Sequence, residues 1–198
     1  VGLGAGWLTE RIPEFLGLFP DIQIQLILAN EELDLTMRQA DCAIRLRQPQ
    51  QPDLIQRRLF TVHFHLYASP AYISKYGKPG SIGELKNHRI VTFGEPVPPH
   101  LSELNWLETV GDFEAGKRVA TLQINDILSI KRAVQRGAGV AMLPDYLVDK
   151  ETGLVQLLPE TEVPSFDTYF AYPEAMKNQA KLHAFRDFVL AKARSWAF

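Results

Sequence analysis

Leu8, Ile12, Phe15, Leu16 and Phe19 fall at i, i+4, i+7, i+8 and i+11, which gathers them on one face of a helix. Thr9 is placed to cap that helix, and Pro13 falls near its first turn, where a missing N–H costs least. Pro20-Asp21 ends it. The pattern then changes period: Ile22, Ile24, Leu26 and Leu28 alternate with polar Gln23 and Gln25, which predicts a strand over 22–28. Asn30 to Gln39 reads as a weaker helix carrying Leu33, Leu35 and Met37, and Ala40 to Leu46 as a short strand. The opening run Val1 to Leu8 is apolar and strand-like, as though cut from the middle of a longer protein. The resulting order is strand, helix, strand, helix, strand, which predicts a parallel sheet with crossover helices.

A second stretch of the same kind follows. Leu54 to Phe60 and Val62 to Ala68 are predicted strands; 71–76 and 81–86 are short helices, the second with Ser81 and Glu84 as a capping box. Arg89 to Phe93 is a strand. The stretch 94–116 has no clear periodicity apart from a short helix at 101–107. Val119 to Ile124 is a strand, Asn125-Asp126 starts a helix with Ile127, Ile130 and Val134 inward, and Gly137-Ala138-Gly139 stops it. Val140 to Leu143, Leu154 to Leu158 and Thr168 to Tyr172 are further strands. The chain closes on a helix over 181–196 with Leu182, Phe185, Val189 and Trp196 inward. Two successive α/β units with a final helix fit a chain that leaves one lobe, builds a second and returns, crossing near 62–68 and 166–172.

Composition narrows the function. The chain has 198 residues, enough to bury two cores, and is 46% hydrophobic. Its 21 Lys and Arg nearly balance 23 Asp and Glu, whereas a phosphate-gripping surface is basic, so this chain taken alone is a poor DNA or RNA binder. One cysteine, Cys42, excludes an internal disulfide and fits a reducing compartment. No apolar run approaches a membrane span, and the start lacks the basic region of a signal peptide. His63 and His65 share a strand face but have no third metal ligand near them in sequence, and His88, His100 and His183 are scattered. No Gly-x-Ser-x-Gly elbow or P-loop is present, and Gly2, Gly4 and Gly6 lack the spacing of a dinucleotide loop. The expectation is a protein that is not an enzyme, with no metal and no cofactor.

Five pieces in order carry a family likeness. They are Trp7-Leu8 with Ile12 to Leu16 and Phe19 to Ile22; Ala40 to Leu46; Leu66 to Ile73; Ala133-Val134 with Gly137 to Pro144; and Leu182 to Val189. Together they resemble the C-terminal effector-binding domain of LysR-type transcriptional regulators. The resemblance implies two Rossmann-like lobes of the type II periplasmic-binding-protein kind, joined by two crossover strands. Residues 1–62 and 166–198 would form lobe I and 63–165 lobe II, with the family's N-terminal winged helix-turn-helix absent from this chain. It implies a dimerising, cytoplasmic sensor of a small metabolite that relays to a DNA-binding domain. The partners implied are a small-molecule effector, a second copy in a homodimer or homotetramer, and DNA only through the missing domain. The alternative is a periplasmic solute-binding protein of the same fold, which would carry a signal peptide upstream and work as a monomer.

Ligands of open α/β sheets bind outside the carboxyl ends of the strands, where helix N-termini also point. The expected effector-binding residues are therefore Gly6, Trp7, Thr9, Asn30, Arg45, Phe93, Asn125 and Asp126. Each has an ordinary structural role beside the functional one. Trp7 either walls the pocket or packs on the first helix, where many family members carry Ser or Thr. Arg45 either binds an anion or pairs with Asp41 or Asp53. Asn125 and Asp126 either line the pocket or cap a helix. The family's antiparallel pairing of effector domains implies a dimer contact near Phe15, Phe19, Ile22, Ile24 and Leu26, whose other role is core.

Overall fold

A computed structural model of the chain describes residues 1–95, 97, 99–111 and 118–196. The unassigned stretch 94–116 lies partly outside these residues. The chain forms two compact units, one of Leu3–Val62 with the chain from Ser165 onward, the other of His63–Pro164.

The first unit opens with helical turns, not with the expected strand. A π-helical turn, Gly4–Leu8, runs through a 3-10 turn, Thr9–Arg11, into α1, Ile12–Leu18. Gly6, Trp7 and Leu8 are buried consecutively, which a helical turn allows and the two-faced pleat of a half-buried strand does not. Thr9 does not cap α1: its hydroxyl donates back to the Gly4 carbonyl at 2.7 Å. Pro13 does sit in the first turn.

Two more expectations fail in this unit. In the segment 22–28 the alternation holds only at its start, with Ile22 and Ile24 half-buried and Gln23 and Gln25 exposed; Leu26, Ile27 and Leu28 are all exposed, and it joins no sheet among the described residues. The stretch 30–39 is a single turn rather than a helix. Asp34 Oδ1 accepts from Thr36 N (2.8 Å), Thr36 Oγ1 (2.6 Å) and Met37 N (3.2 Å), and these local bonds compete with a helical ladder.

An antiparallel strand pair in this unit corrects the parallel sheet expected for it. β1, Ala43–Arg45, runs antiparallel to β7, Ser165–Pro173, with Ile44 opposite Phe170. On its other side β7 neighbours β2, Leu54–Ala68, one 15-residue strand where two were expected. Thr168, fully buried, ties the pair: its hydroxyl donates to the Phe60 carbonyl at 2.6 Å and accepts from Phe60 N at 3.2 Å. α5, Ala180–Arg194, packs on α1. Phe15 has its ring 5.1 Å from Phe185 and 5.2 Å from Phe188, both edge-on, and Lys192 Nζ reaches Glu14 at 2.6 Å.

The second unit does contain parallel pairing. β3, Ile90–Phe93, lies parallel to both β4, Leu122–Ile124, and β5, Val140–Pro144. β5 is antiparallel to the second half of β2, with His65 opposite Leu143, and β6, Val155–Leu157, pairs there too. α4, Ile127–Gln135, lays Ile130 and Val134 on Tyr67, Val91, Phe93, Ala141 and Leu143 to close the core. Among the described residues the remaining α-helices are α2, Pro70–Tyr76, and α3, Trp106–Thr109.

Local chemistry explains the boundaries. Ser69 caps α2, accepting from Tyr72 N at 3.2 Å. The capping box at Ser81 is not formed: Ser81 makes no side-chain cap, and Glu84 accepts from Gly80 N at 2.8 Å instead. α4 ends at Gly137, whose φ of +85° is open to glycine. A Cβ at Gly139 would overlap the Arg89 carbonyl, so β5 can start beside β3 only with a glycine there.

Candidate functional site

The parallel strands β3, β4 and β5 end together, so Phe93-Gly94, Asn125-Asp126 and Asp145-Tyr146 share one edge of the second unit's sheet. Phe93 itself is buried in the core beneath that edge. Its backbone is fully engaged: Phe93 N donates to Asn105 Oδ1 at 2.9 Å, and Asn105 Nδ2 donates to Phe93 O at 3.0 Å. One amide side chain thus substitutes for a neighbouring strand. Gly94 N donates to Ile124 O at 3.0 Å, bringing that loop against Asn125.

Asp126 caps α4. Its Oδ2 accepts from Ser129 N (2.9 Å) and Ser129 Oγ (2.6 Å), while Oδ1 is buried without a hydrogen-bond partner among the described residues. Burial alone would raise this carboxyl, but the Ser129 hydroxyl and the amides of Ser129 and Leu128 hold it below the ordinary carboxylate range. Asp145 follows β5 and accepts from His63 N at 2.9 Å and Tyr146 N at 2.7 Å. Here burial outweighs those bonds and raises the carboxyl. Next along β2, His65 is half-buried with its ring edge-on to Tyr67, and burial followed by the nearby His63 lowers its imidazole. Among the described residues, no group of three or more His, Cys, Asp or Glu is placed to hold a metal ion.

In the first unit Gly6, Trp7 and Arg45 are buried and serve the fold. Trp7 is 1% exposed, its ring 4.9 Å from Phe60. The Arg11 guanidinium lies over Trp7 at 4.6 Å and over Trp196 at 5.0 Å, and donates to the Trp7 carbonyl. Trp7 is therefore a packed residue; its Nε1 is buried without a hydrogen-bond partner among the described residues. Gly6 lies in the same buried turn.

Arg45 is 6% exposed and turned inward. It donates to the Leu33 carbonyl at 2.8 Å and to Gln51 Oε1 at 3.2 and 3.3 Å, with Glu32 at 3.8 Å. Asp41 and Asp53, the expected partners, are not the ones used. Arg47 binds Glu32 through two bonds of 2.9 and 2.7 Å. One carboxylate thus neutralises both arginines, and Arg45 holds the 30–39 loop rather than an open anion site. Asn30 is half-buried within that loop.

The residues expected at a dimer contact divide by burial. Phe15 is fully buried against α5 and belongs to the core, which corrects its assignment. Ile22 and Ile24 are half-buried. Phe19 and Leu26 are exposed, together with Leu16, Leu18, Ile27 and Leu28, which the helical stripe alone did not single out as outward.

Residues 1–194 match the family described as the LysR substrate binding domain. The chain belongs to that family. Among solved structures similar to this LysR substrate-binding domain, the regulatory domain of CrgA from Neisseria meningitidis, a LysR-type transcriptional regulator, superposes with a TM-score of 0.83 at 25% identity. That superposition covers 98% of this chain and 95% of the other. Full-length AphB from Vibrio cholerae has the same fold, with a TM-score of 0.76 over 96% of this chain and 64% of that one. Among curated relatives, an HTH-type transcriptional regulator of Xanthomonas campestris is 28% identical over 96% of this chain, and CrgA of Neisseria meningitidis serogroup C is 30% identical over 77%. The chain spans 56% of the length of the first and 50% of the second. The domain is thus an α/β effector-binding fold akin to periplasmic binding proteins. Among its described residues no helix is long and apolar enough to cross a membrane.

Sequence reasoning missed three residues that shape these edges: Glu32, Asn105 and Asp145. Pro144-Asp145 does read as a turn, but nothing local marks Asn105, whose partner lies 12 residues away.

Proposed function

We propose that this domain is the sensing half of a transcription regulator, binding a small effector and relaying it to an N-terminal winged helix-turn-helix outside this chain. The match to CrgA's regulatory domain over nearly the whole chain carries the reading. In the finer form of the proposal the fold is of the type II periplasmic-binding-protein kind, with β2 and β7 as its two crossover strands.

Effector contacts come from polar groups at the strand ends of the second unit, Asn125 and Asp126 beside Gly94. Arg45, already paired, is left out. The protein works in the cytoplasm as a homodimer or homotetramer, with Phe19, Leu26 and their exposed apolar neighbours at the contact. An effector acts by preferring one of two arrangements of the assembly, since equal binding to both shifts nothing.

The test is a thermal-shift screen of metabolites on this domain, followed by gel shifts of the full-length gene product on its own upstream DNA. A compound that raises the melting temperature saturably and changes the DNA footprint is the expected result. A full-length chain that carries a cleaved signal peptide and does not bind DNA overturns the proposal in favour of a solute-binding protein.

A further inference from the structure

Charge is unevenly distributed in the second unit. Residues 69–90 hold four Lys and Arg against one Glu, while the rest of the chain holds seventeen against twenty-two Asp and Glu. The single acid, Glu84, is turned onto the Gly80 amide. Lys75, Lys78, Lys86 and Arg89 are all exposed, and among the described residues none has a carboxylate within ion-pair distance. First-unit cations such as Arg47, Arg58 and Lys192 each hold a carboxylate.

Two of these cations, Lys75 and Arg89, flank an aromatic ring. Tyr76, 37% exposed, has Lys75 Nζ at 5.2 Å and Arg89 Cζ at 5.1 Å from its ring centre. Tyr72 stacks behind it at 4.8 Å. The Tyr72 hydroxyl accepts from Arg89 N at 2.9 Å and meets His88 Nδ1 at 3.2 Å, which fixes the backbone that carries Arg89. Two cations held beside a half-exposed tyrosine lose little side-chain entropy on meeting an anion.

We propose that this patch, Lys75, Tyr76, Lys78, Lys86 and Arg89, is a docking surface for a short acidic segment of another protein. The charge outside the patch selects that partner. Outside the patch the chain carries 17 Lys and Arg against 22 Asp and Glu, a net charge that opposes a long polyanion such as duplex DNA more than a short acidic segment. A few carboxylates with an apolar neighbour match both the cations and the exposed edge of Tyr76.

The experiment is an amide NMR titration of this domain with a dye-labelled peptide of six glutamates and one leucine, and in parallel with a 20-base-pair duplex. The expected result is peptide-induced shifts confined to residues 72–89, weakened about tenfold by raising NaCl from 0.05 to 0.3 M. The same loss is expected in Lys75→Ala/Arg89→Ala and, independently, in Lys78→Ala/Lys86→Ala. No shift with the peptide overturns the proposal, as do shifts that persist in both double variants. Tighter duplex binding through the same residues overturns it in favour of nucleic acid.

Discussion

Cys42 lies just before β1, where burial and then the neighbouring Asp41 push its thiol up to about 12. The thiolate is the reactive form, so this cysteine is chemically quiet while the domain is folded. At pH 8 its alkylation by iodoacetamide is expected to run at least ~100-fold slower in native than in urea-unfolded protein; equal rates would show that the site opens. His65 gives the pH response a sign. Its folded value is lowered by burial and by His63, so the unfolded chain takes up the proton first. That contribution to stability is present above about 6.5 and is lost as pH falls through it. His65→Gln should therefore flatten the drop in melting temperature between pH 7.5 and 5.5, and identical slopes in both proteins would contradict the assignment.

At the scale of elements, α1 is short and owes its place to packing. Phe15 is its one buried residue, and it meets both phenylalanines of α5. Phe15→Ala should destabilise the first unit by roughly 3–5 kcal/mol, read from urea unfolding; a cost below about 1 kcal/mol would mean that the site collapses around the gap. Asn105 does for β3 what a flanking strand does elsewhere. Asn105→Leu keeps the volume and removes both bonds to Phe93, leaving a backbone amide and carbonyl without partners. The expected cost is about 1–3 kcal/mol, with faster hydrogen exchange at the Phe93 amide. Unchanged exchange there would show that another group takes over.

At the scale of the whole molecule, the exposed run Leu26, Ile27 and Leu28, with Leu16, Leu18 and Phe19, is more apolar surface than scattered single residues account for. The proposed assembly covers it. Leu18→Glu/Leu26→Glu is expected to convert a concentration-dependent dimer of this domain to monomer in light scattering, with little change in the melting temperature of dilute protein. A variant that remains dimeric would move the contact elsewhere.

What could be read from the chain alone was local or repeated along it. The existence of α1, the Asp126 cap, the stop at Gly137 and the strands near 90–93, 122–124 and 140–144 follow from side-chain period and from bonds spanning a few residues. The family was legible too, because five ordered segments retain its pattern, and the match over residues 1–194 bears it out. Other features depended on partners distant in sequence. The Val1–Leu8 run reads like a strand, yet Trp7 lies in a helical turn, its ring packed on Phe60 and under the Arg11 guanidinium. Arg45 looks free until Glu32, Leu33 and Gln51 fold back onto it. Phe15 and Phe19 share a stripe, and only the arrival of α5 buries one and leaves the other outward. Periodicity records which positions are apolar; which neighbour covers them is decided by contacts that no short window of sequence contains.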